Sequence, residues 1–346
     1  MRFRTCPGLS SLILALCSSA VPAQQAPPPL PPATGRMVLD VVVSSKSGAP
    51  VSGLQQQDFT ILDNKTPQTT TSFAALGGPQ APVEVVVLID TVNADVTTLT
   101  VERTYIDKFF KADDGHLAYP TYLAIVDDAG LRMGDSPSKD GNLLSAALAR
   151  SDLGLRTIHK DTGVTNDADR AHLSLVAAQR LAVKEAIRPG RKIVLWVSPG
   201  WPLLSSPNLN YDFQQSQQLF RQAVVMSTLL RRGGVTLYSI NPVGASEGSH
   251  QLDYEQFLKG ATKPIQGLPG YTALQVMAVQ SGGLALTGNN DIASQLQRCM
   301  TDLTAYYELS FDPLPSDHRD EYHTLQVKVS QPGLTARTRT GYYAQP

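Results

Sequence analysis

Eight residues, Val83-Glu84-Val85-Val86-Val87-Leu88-Ile89-Asp90, constrain this chain more than any others: an almost unbroken apolar run that ends in a carboxylate. A strand with one wet face alternates apolar and polar residues, whereas a run apolar at successive positions must be covered on both faces, as in a parallel sheet. A helical stretch, VTTLTVERTYIDKFFK, follows directly. Strand-like and helix-like segments then alternate through TYLAIVDD, GNLLSAALARS, NDADRAHLSLVAAQRLAVKEAIRPG, RKIVLWVSPG, FQQSQQLFRQAVVMSTLLRRGG, VTLYSINP, YTALQVMAVQSGG and the short LAL. In the longest of these helices Leu173, Val176, Ala177, Leu181 and Ile187 recur at helical spacing, and Pro189-Gly190 ends the run. Such alternation predicts an α/β domain over residues 82–302, a mostly parallel sheet with helices on both faces.

The flanks have a different rhythm. Residues 36–76 hold short β-type runs, VLDVVVSS, DFTILDN and TTSFAAL, separated by turn residues. Residues 303–346 hold three more, AYYELSFDP, YHTLQVKVS and LTARTRTGYY. Neither set is large enough to stand alone. The expectation is that the two β-segments pair into a small β-sandwich, with the α/β domain inserted between them.

The first residues bear on the compartment. Arg2 and Arg4, the apolar run Leu9 to Leu16, and Val21-Pro22-Ala23 before Gln24 read as a secretory signal peptide over residues 1–23. Cys17 raises lipid attachment as an alternative, against which stands the bulky Leu16 preceding it. Residues 24–35, PPPLPP at their centre, form a Pro-rich linker. The formal charge is −1, and losing Arg2 and Arg4 makes it more negative, so nothing attracts nucleic acid. Of three cysteines only Cys299 follows the leader, so the mature chain has no internal disulfide and depends on its core, for which 42% hydrophobic content is ample. No later stretch is apolar for long enough to predict a transmembrane segment. The expected location is the periplasm, the cell surface or outside the cell.

Taken together, VLDVVVSSKSGAPVSGLQQQDFTILDN, VEVVVLIDTVNA, RKIVLWVSPGWP, SGGLALTGNNDIASQLQRCMTDLTAYYELSFDP and YHTLQVKVSQPGLTARTRTGYY resemble the von Willebrand factor A-like proteins of the acidobacterial VWFA-related type. The resemblance spans nearly the whole mature chain. It implies a Rossmann-like von Willebrand factor A domain in an exported protein, and it implies no settled activity. Metal-binding members of the wider family carry Asp-x-Ser-x-Ser after the first strand, with a threonine and an aspartate from later loops; these hard oxygens suit a divalent cation. Here Asp90 is followed by Val92 and Ala94 at the serine positions, and the later loop reads Ser198-Pro199-Gly200. The expectation is therefore no metal site, with Asp90 capping the next helix or bonding strand-end amides. Asn93, Asp95 and Thr165 offer substitute oxygens for a weak divalent cation.

The remaining chemistry is sparse. Ser198 lacks the flanking glycines of a nucleophile elbow and any assignable His and acid partner. The stretch DHRDEYH, with Asp317, His318, Asp320, Glu321 and His323, reads as a charged turn rather than a metal cluster, since alternate strand residues face opposite ways. No phosphate-binding glycine motif appears, so no cofactor is expected. Trp201 has two open readings, a lid on the core or a contact residue. The reading is a non-enzymatic envelope protein binding an unknown protein or peptide through the rim where Thr91, Asn93, Ser198 and Trp201 meet. The alternatives are a metal-dependent envelope hydrolase using Asp90 or His318 and His323, and a structural subunit of an envelope assembly.

Overall fold

A computed structural model describes residues 35–151, 164–203, 211–243, 254–287, 291–313 and 315–344, with the backbone alone for 164–166. The leader and linker expected over residues 1–35 lie outside the described residues apart from Gly35. No helix among the described residues is long and apolar enough to cross a membrane.

Short runs between turns make β1 (Met37–Ser44), β2 (Phe59–Asp63), β3 (Thr66–Gln68) and β4 (Ser72–Leu76). The apolar run is β5 (Val83–Asp90), and Val85 through Ile89 are fully buried. At about 1.5–3 kcal/mol per covered aliphatic side chain, this strand anchors the centre of the molecule. Asp95 caps α1 (Val96–Lys111) by accepting the Thr98 amide. There follow β6 (His116–Asp127), β7 (Gly130–Met133), β8 (Ser138–Asp140), α2 (Gly141–Arg150), α3 (Val164–Ala186) and β9 (Arg191–Val197). Then come α4 (Phe213–Arg232), β10 (Val235–Ile240), α5 (Leu274–Gln280), β11 (Ala285–Leu286), α6 (Ile292–Thr301), β12 (Tyr306–Phe311), β13 (Glu321–Val329), β14 (Thr335–Arg337) and β15 (Gly341–Ala344).

These strands form three sheets, ordered β14-β1-β12-β4, β15-β13-β2-β3 and β11-β10-β9-β5-β6-β7, with β8 also on β6. The fold class read from the sequence, a Rossmann-like von Willebrand factor A domain carrying a small sandwich, is corrected here. Eight of the twelve strand pairings among the described residues are antiparallel. Two sheets are wholly antiparallel, and the third is mixed: parallel pairing is confined to β6-β5-β9-β10-β11, and antiparallel β7 and β8 complete its edge. The described residues form a mixed α/β protein of three sheets. The reversal after β6 has a local cause. Asp127 accepts the Ala129 amide at 3.0 Å, and Gly130 takes φ +105°, a conformation open to glycine, which turns the chain back along β6.

The terminal segments meet residue by residue. Leu39 lies opposite Leu309 and Val41 opposite Tyr307, while Ile61 lies opposite Val327. Their inward side chains, among them Leu39, Val41, Ile61, Tyr307, Leu309 and Phe311, form a core of their own. A second core joins the Val85, Val87 and Ile89 face of β5 to α1, α2 and α6, with Cys299 buried inside it. Arg337 ties the two regions by pairing with Asp302, which also accepts the Tyr238 hydroxyl at 2.5 Å. Helix α3 stops at Ala186, one residue before the expected apolar Ile187, which is 83% exposed. Pro189 disfavours α geometry at Arg188, whose side chain reaches Glu185 and Glu84.

Candidate functional site

The carboxyl end of β5 sits between β6 and β9, where side chains of neighbouring strands share faces. Leu88 is in register with Trp196, so the next inward position along β5, Asp90, lies beside Trp196 and the residues that follow β9. Asp90 is completely buried and accepts six hydrogen bonds. Its Oδ1 takes the amides of Val92 and Asn93, both at 3.1 Å. Its Oδ2 takes Asn93 Nδ2 at 2.8 Å, Ser198 Oγ at 2.9 Å, and the indole N–H groups of Trp196 and Trp201 at 3.2 Å each. Amide and indole N–H groups can only donate, and the Asp90 carboxyl oxygens supply the acceptors they need. Burial pushes the Asp90 carboxyl above the usual aspartate range, and the donors from Asn93, Trp196 and Ser198 pull it back.

The knot extends sideways. Asn93 also donates to Ser174 Oγ at 2.8 Å, and Ser174 donates to the Arg170 carbonyl at 2.9 Å, which joins the rim to α3. Ser198 Oγ accepts the Gly200 amide at 3.1 Å while donating to Asp90, so its hydroxyl proton is already engaged. Gly200 adopts φ +107°, and a Cβ there would meet Gln275 Nε2 at 2.8 Å; glycine lets the chain fold back so that Trp201 covers Asp90. The two indoles meet edge to face with centroids 5.1 Å apart.

The structure places the sequence candidates as follows. Thr91 donates to the Val126 carbonyl at 2.9 Å, and Thr91, Asn93, Ser198 and Trp201 are all buried, none more than 8% exposed. A partner cannot reach these four side chains at the surface, and Trp201 is the lid of its two readings. Asp95 is spent on the α1 cap. The Thr165 side chain lies outside the described residues, as does most of the loop after Leu203. His318 is exposed in the turn before β13, whereas His323 points inward: its Nδ1 is 2.9 Å from Asp63 Oδ1, and Tyr342 donates to Asp63 Oδ2 at 2.8 Å. Among the described residues no group of three or more His, Cys, Asp or Glu side chains is arranged to hold a metal ion.

Sequence reasoning missed Trp196, Ser174 and Glu102. Trp196 and Ser174 sit in apolar runs that read as core. Glu102 sits on α1, fully buried, and neither carboxyl oxygen has a hydrogen-bond partner among the described residues. Burial first, then the charges of Asp90 and Asp95, raises its pKa well above the ordinary glutamate value of 4.5. The folded chain therefore keeps this proton over a range where the unfolded chain has released it. Its contribution to stability is fullest below pH 4.5 and is lost as pH rises through the folded-state value. Glu102→Gln, neutral at every pH, should remove that decline. The Tm advantage of the variant should grow between pH 4 and pH 8, followed by circular dichroism; a pH-independent difference contradicts the assignment.

No family model matches the chain, and no curated protein matches it. Solved structures with some likeness include proximal thread matrix protein 1 from the mussel byssus, 9% identical, TM-score 0.38, covering 70% of this chain and 51% of that one. Another is the pilus adhesin SpaC from Lactobacillus rhamnosus GG in an open conformation, 8% identical, TM-score 0.37, covering 85% of this chain and 49% of that one. The chain spans about half the length of these proteins.

Proposed function

We propose that this chain is an exported envelope protein that binds a protein or peptide partner without catalysis and without a bridging cation. The observation that carries the reading is the six-donor knot on Asp90. A carboxylate holding a divalent cation directs its lone pairs at the metal, whereas here they meet N–H and O–H groups whose positive ends repel a cation. The residue best placed for acid, base or ligand chemistry serves as a strut that locks β5, β9 and α3 together. Export rests on Arg2, Arg4 and the apolar run to Leu16.

With the rim side chains buried, the partner-facing groups in this reading are exposed apolar ones. Phe213 opens α4 at 58% exposure, and Ile265 at 64% and Leu268 lie in the turns that pack on the same helix through Gly267, beside Ser216 and Phe220. Exposed apolar side chains grouped on one face mark interaction sites more often than scattered ones do. The test is retention of envelope proteins on the immobilised chain in the presence of chelator, compared with a Phe213→Asp, Ile265→Asp variant. Retention that persists in chelator and falls about tenfold or more in the variant, as losing two apolar anchors implies, is the expected result. Retention that requires Mg²⁺, or that the variant leaves unchanged, contradicts the reading; self-association alone points to an assembly subunit.

A further inference from the structure

At the opposite end of the mixed sheet from Asp90, a cavity of about 320 Å³ opens where the first residues of β9 and the last turn of α4 face β1, β12 and the link between β14 and β15. Its wall is rich in cations. Two are already engaged: Lys192 donates to the carbonyls of Arg188, Pro189 and Gly190, and Arg188 pairs with Glu185 and Glu84. Arg191 lies 3.5 Å from Asp40 and stacks over the Tyr306 ring at 4.6 Å, with its Nη1 unpartnered.

Three guanidinium groups remain. Arg231 and Arg232 come from the end of α4, and Arg339 from the segment before β15; among the described residues the one acid that attracts Arg339 is Asp40, which is already 3.5 Å from Arg191. Arg232 Nε is buried without a partner, and Arg339 is only 9% exposed. The two acids on the wall do not cancel this surplus. Asp40 faces Glu308 across the β1–β12 pairing, and its one charge is shared between Arg191 at 3.5 Å and the more distant Arg339. Burial first, then the neighbouring Arg231, pushes Arg339 down to about 10, with Asp40 pulling partly back, and burial and then Arg232 push Arg231 down as well. Helix geometry explains part of the arrangement, because cations favour a helix C-terminus. It does not explain Arg339, which belongs to a different element and is brought in by the chain crossing between two sheets.

A buried Arg339 beside half-buried Arg231 and Arg232, with one shared acid among them, leaves an excess of positive charge that is costly to hold, and a compact anion in the cavity lowers that cost. Guanidinium forks match phosphate oxygens in paired hydrogen bonds, which a single lysine cannot reproduce. We infer that this cavity is a binding site for a small molecule bearing a phosphate or diphosphate group, held by Arg231, Arg232 and Arg339 with Arg191 behind them. The inference does not depend on the partner-binding reading, since the apolar surface begins at Phe213, where α4 opens, and the cavity takes Arg231 and Arg232 from the other end of that helix.

The test is calorimetric titration of the full chain with inorganic phosphate, pyrophosphate and ADP, with sodium chloride matched for ionic strength. Saturable binding of pyrophosphate, tighter than that of phosphate and weakened about tenfold or more in Arg232→Gln, is expected; one charge-assisted hydrogen bond is worth that much. ADP binding as well as pyrophosphate places the nucleoside outside the site, and its binding tighter identifies a nucleotide; both support the inference. Arg339→Gln should lose binding more completely. Should that variant fail to fold, Arg232→Gln, at the partly exposed edge, decides alone. No saturable binding of any of the three anions, or binding that Arg232→Gln leaves intact, overturns the inference.

Discussion

Replacing Asp90 by alanine should lower the stability of the folded chain by about 4 kcal/mol, since each buried donor left unpaired costs about 1–3 kcal/mol and four side chains lose their shared acceptor. Asn93, Trp196, Ser198 and Trp201 all donate to one oxygen, and of the four only Asn93 has a second acceptor, Ser174, among the hydrogen bonds of the described residues. Against a total of about 5–15 kcal/mol for an ordinary domain, such a loss is a large fraction of the stability. Asp90→Asn keeps the shape but turns one acceptor into a donor, so it should cost about 2 kcal/mol or more. Urea unfolding checks both: the midpoint should fall with little change in slope. A change below about 1 kcal/mol for Asp90→Ala, the net worth of one ordinary hydrogen bond, contradicts the role of Asp90 as a strut.

Removing residues 303–346 should have a still wider effect. The deletion takes away β12, β13, β14 and β15, and with them both neighbours of β1, the partner of β4 and the main partner of β2. Leu39, Val41 and Ile61 then lose Tyr307, Leu309, Phe311 and Val327, the other half of their core. A few isolated strands do not hold together in water. Amide hydrogens of residues 37–63, protected in the full chain, should exchange at unfolded rates in the shortened one. Persistent protection of β1 after the deletion contradicts the pairing. The same separation in sequence predicts slow folding, because β1 and β12 must meet across the whole inserted segment before either gains its contacts.

The elements most legible in the sequence are those whose burial is written locally. The run ending at Asp90 reads as a doubly covered strand because five successive apolar side chains leave no other option, and Val85 through Ile89 are fully buried. Legibility stops where a turn or a distant partner decides. LTARTRTGYY reads as one strand, yet Thr338, Arg339 and Thr340 carry the chain from one sheet to another, so it divides into β14 and β15. GLRMGDSPSKD carries no strong pattern, and its two short strands form only because β6 offers an edge. They are among the antiparallel pairings that overturn the fold class the sequence suggested.

The site shows the same division. That Asp90 would bond strand-end amides was readable from its position before a helix. Its indole partners were not, since Trp196 lies 106 residues away and Trp201 lies 111 away, and their convergence depends on the register between β5 and β9. The arginine cavity is further still from local pattern, with walls drawn from β1, β9, β12, the end of α4 and the segment before β15.

The most direct measurement is calorimetric titration of Mg²⁺, Mn²⁺ and Ca²⁺ into the full chain, with Asp90→Asn alongside. An Asp90 carboxylate filled by six donors should give no saturable heat with any of the three ions in either protein. Saturable heat in the parent chain that disappears in Asp90→Asn contradicts it, for it means that the rim opens and that Asp90 holds a cation.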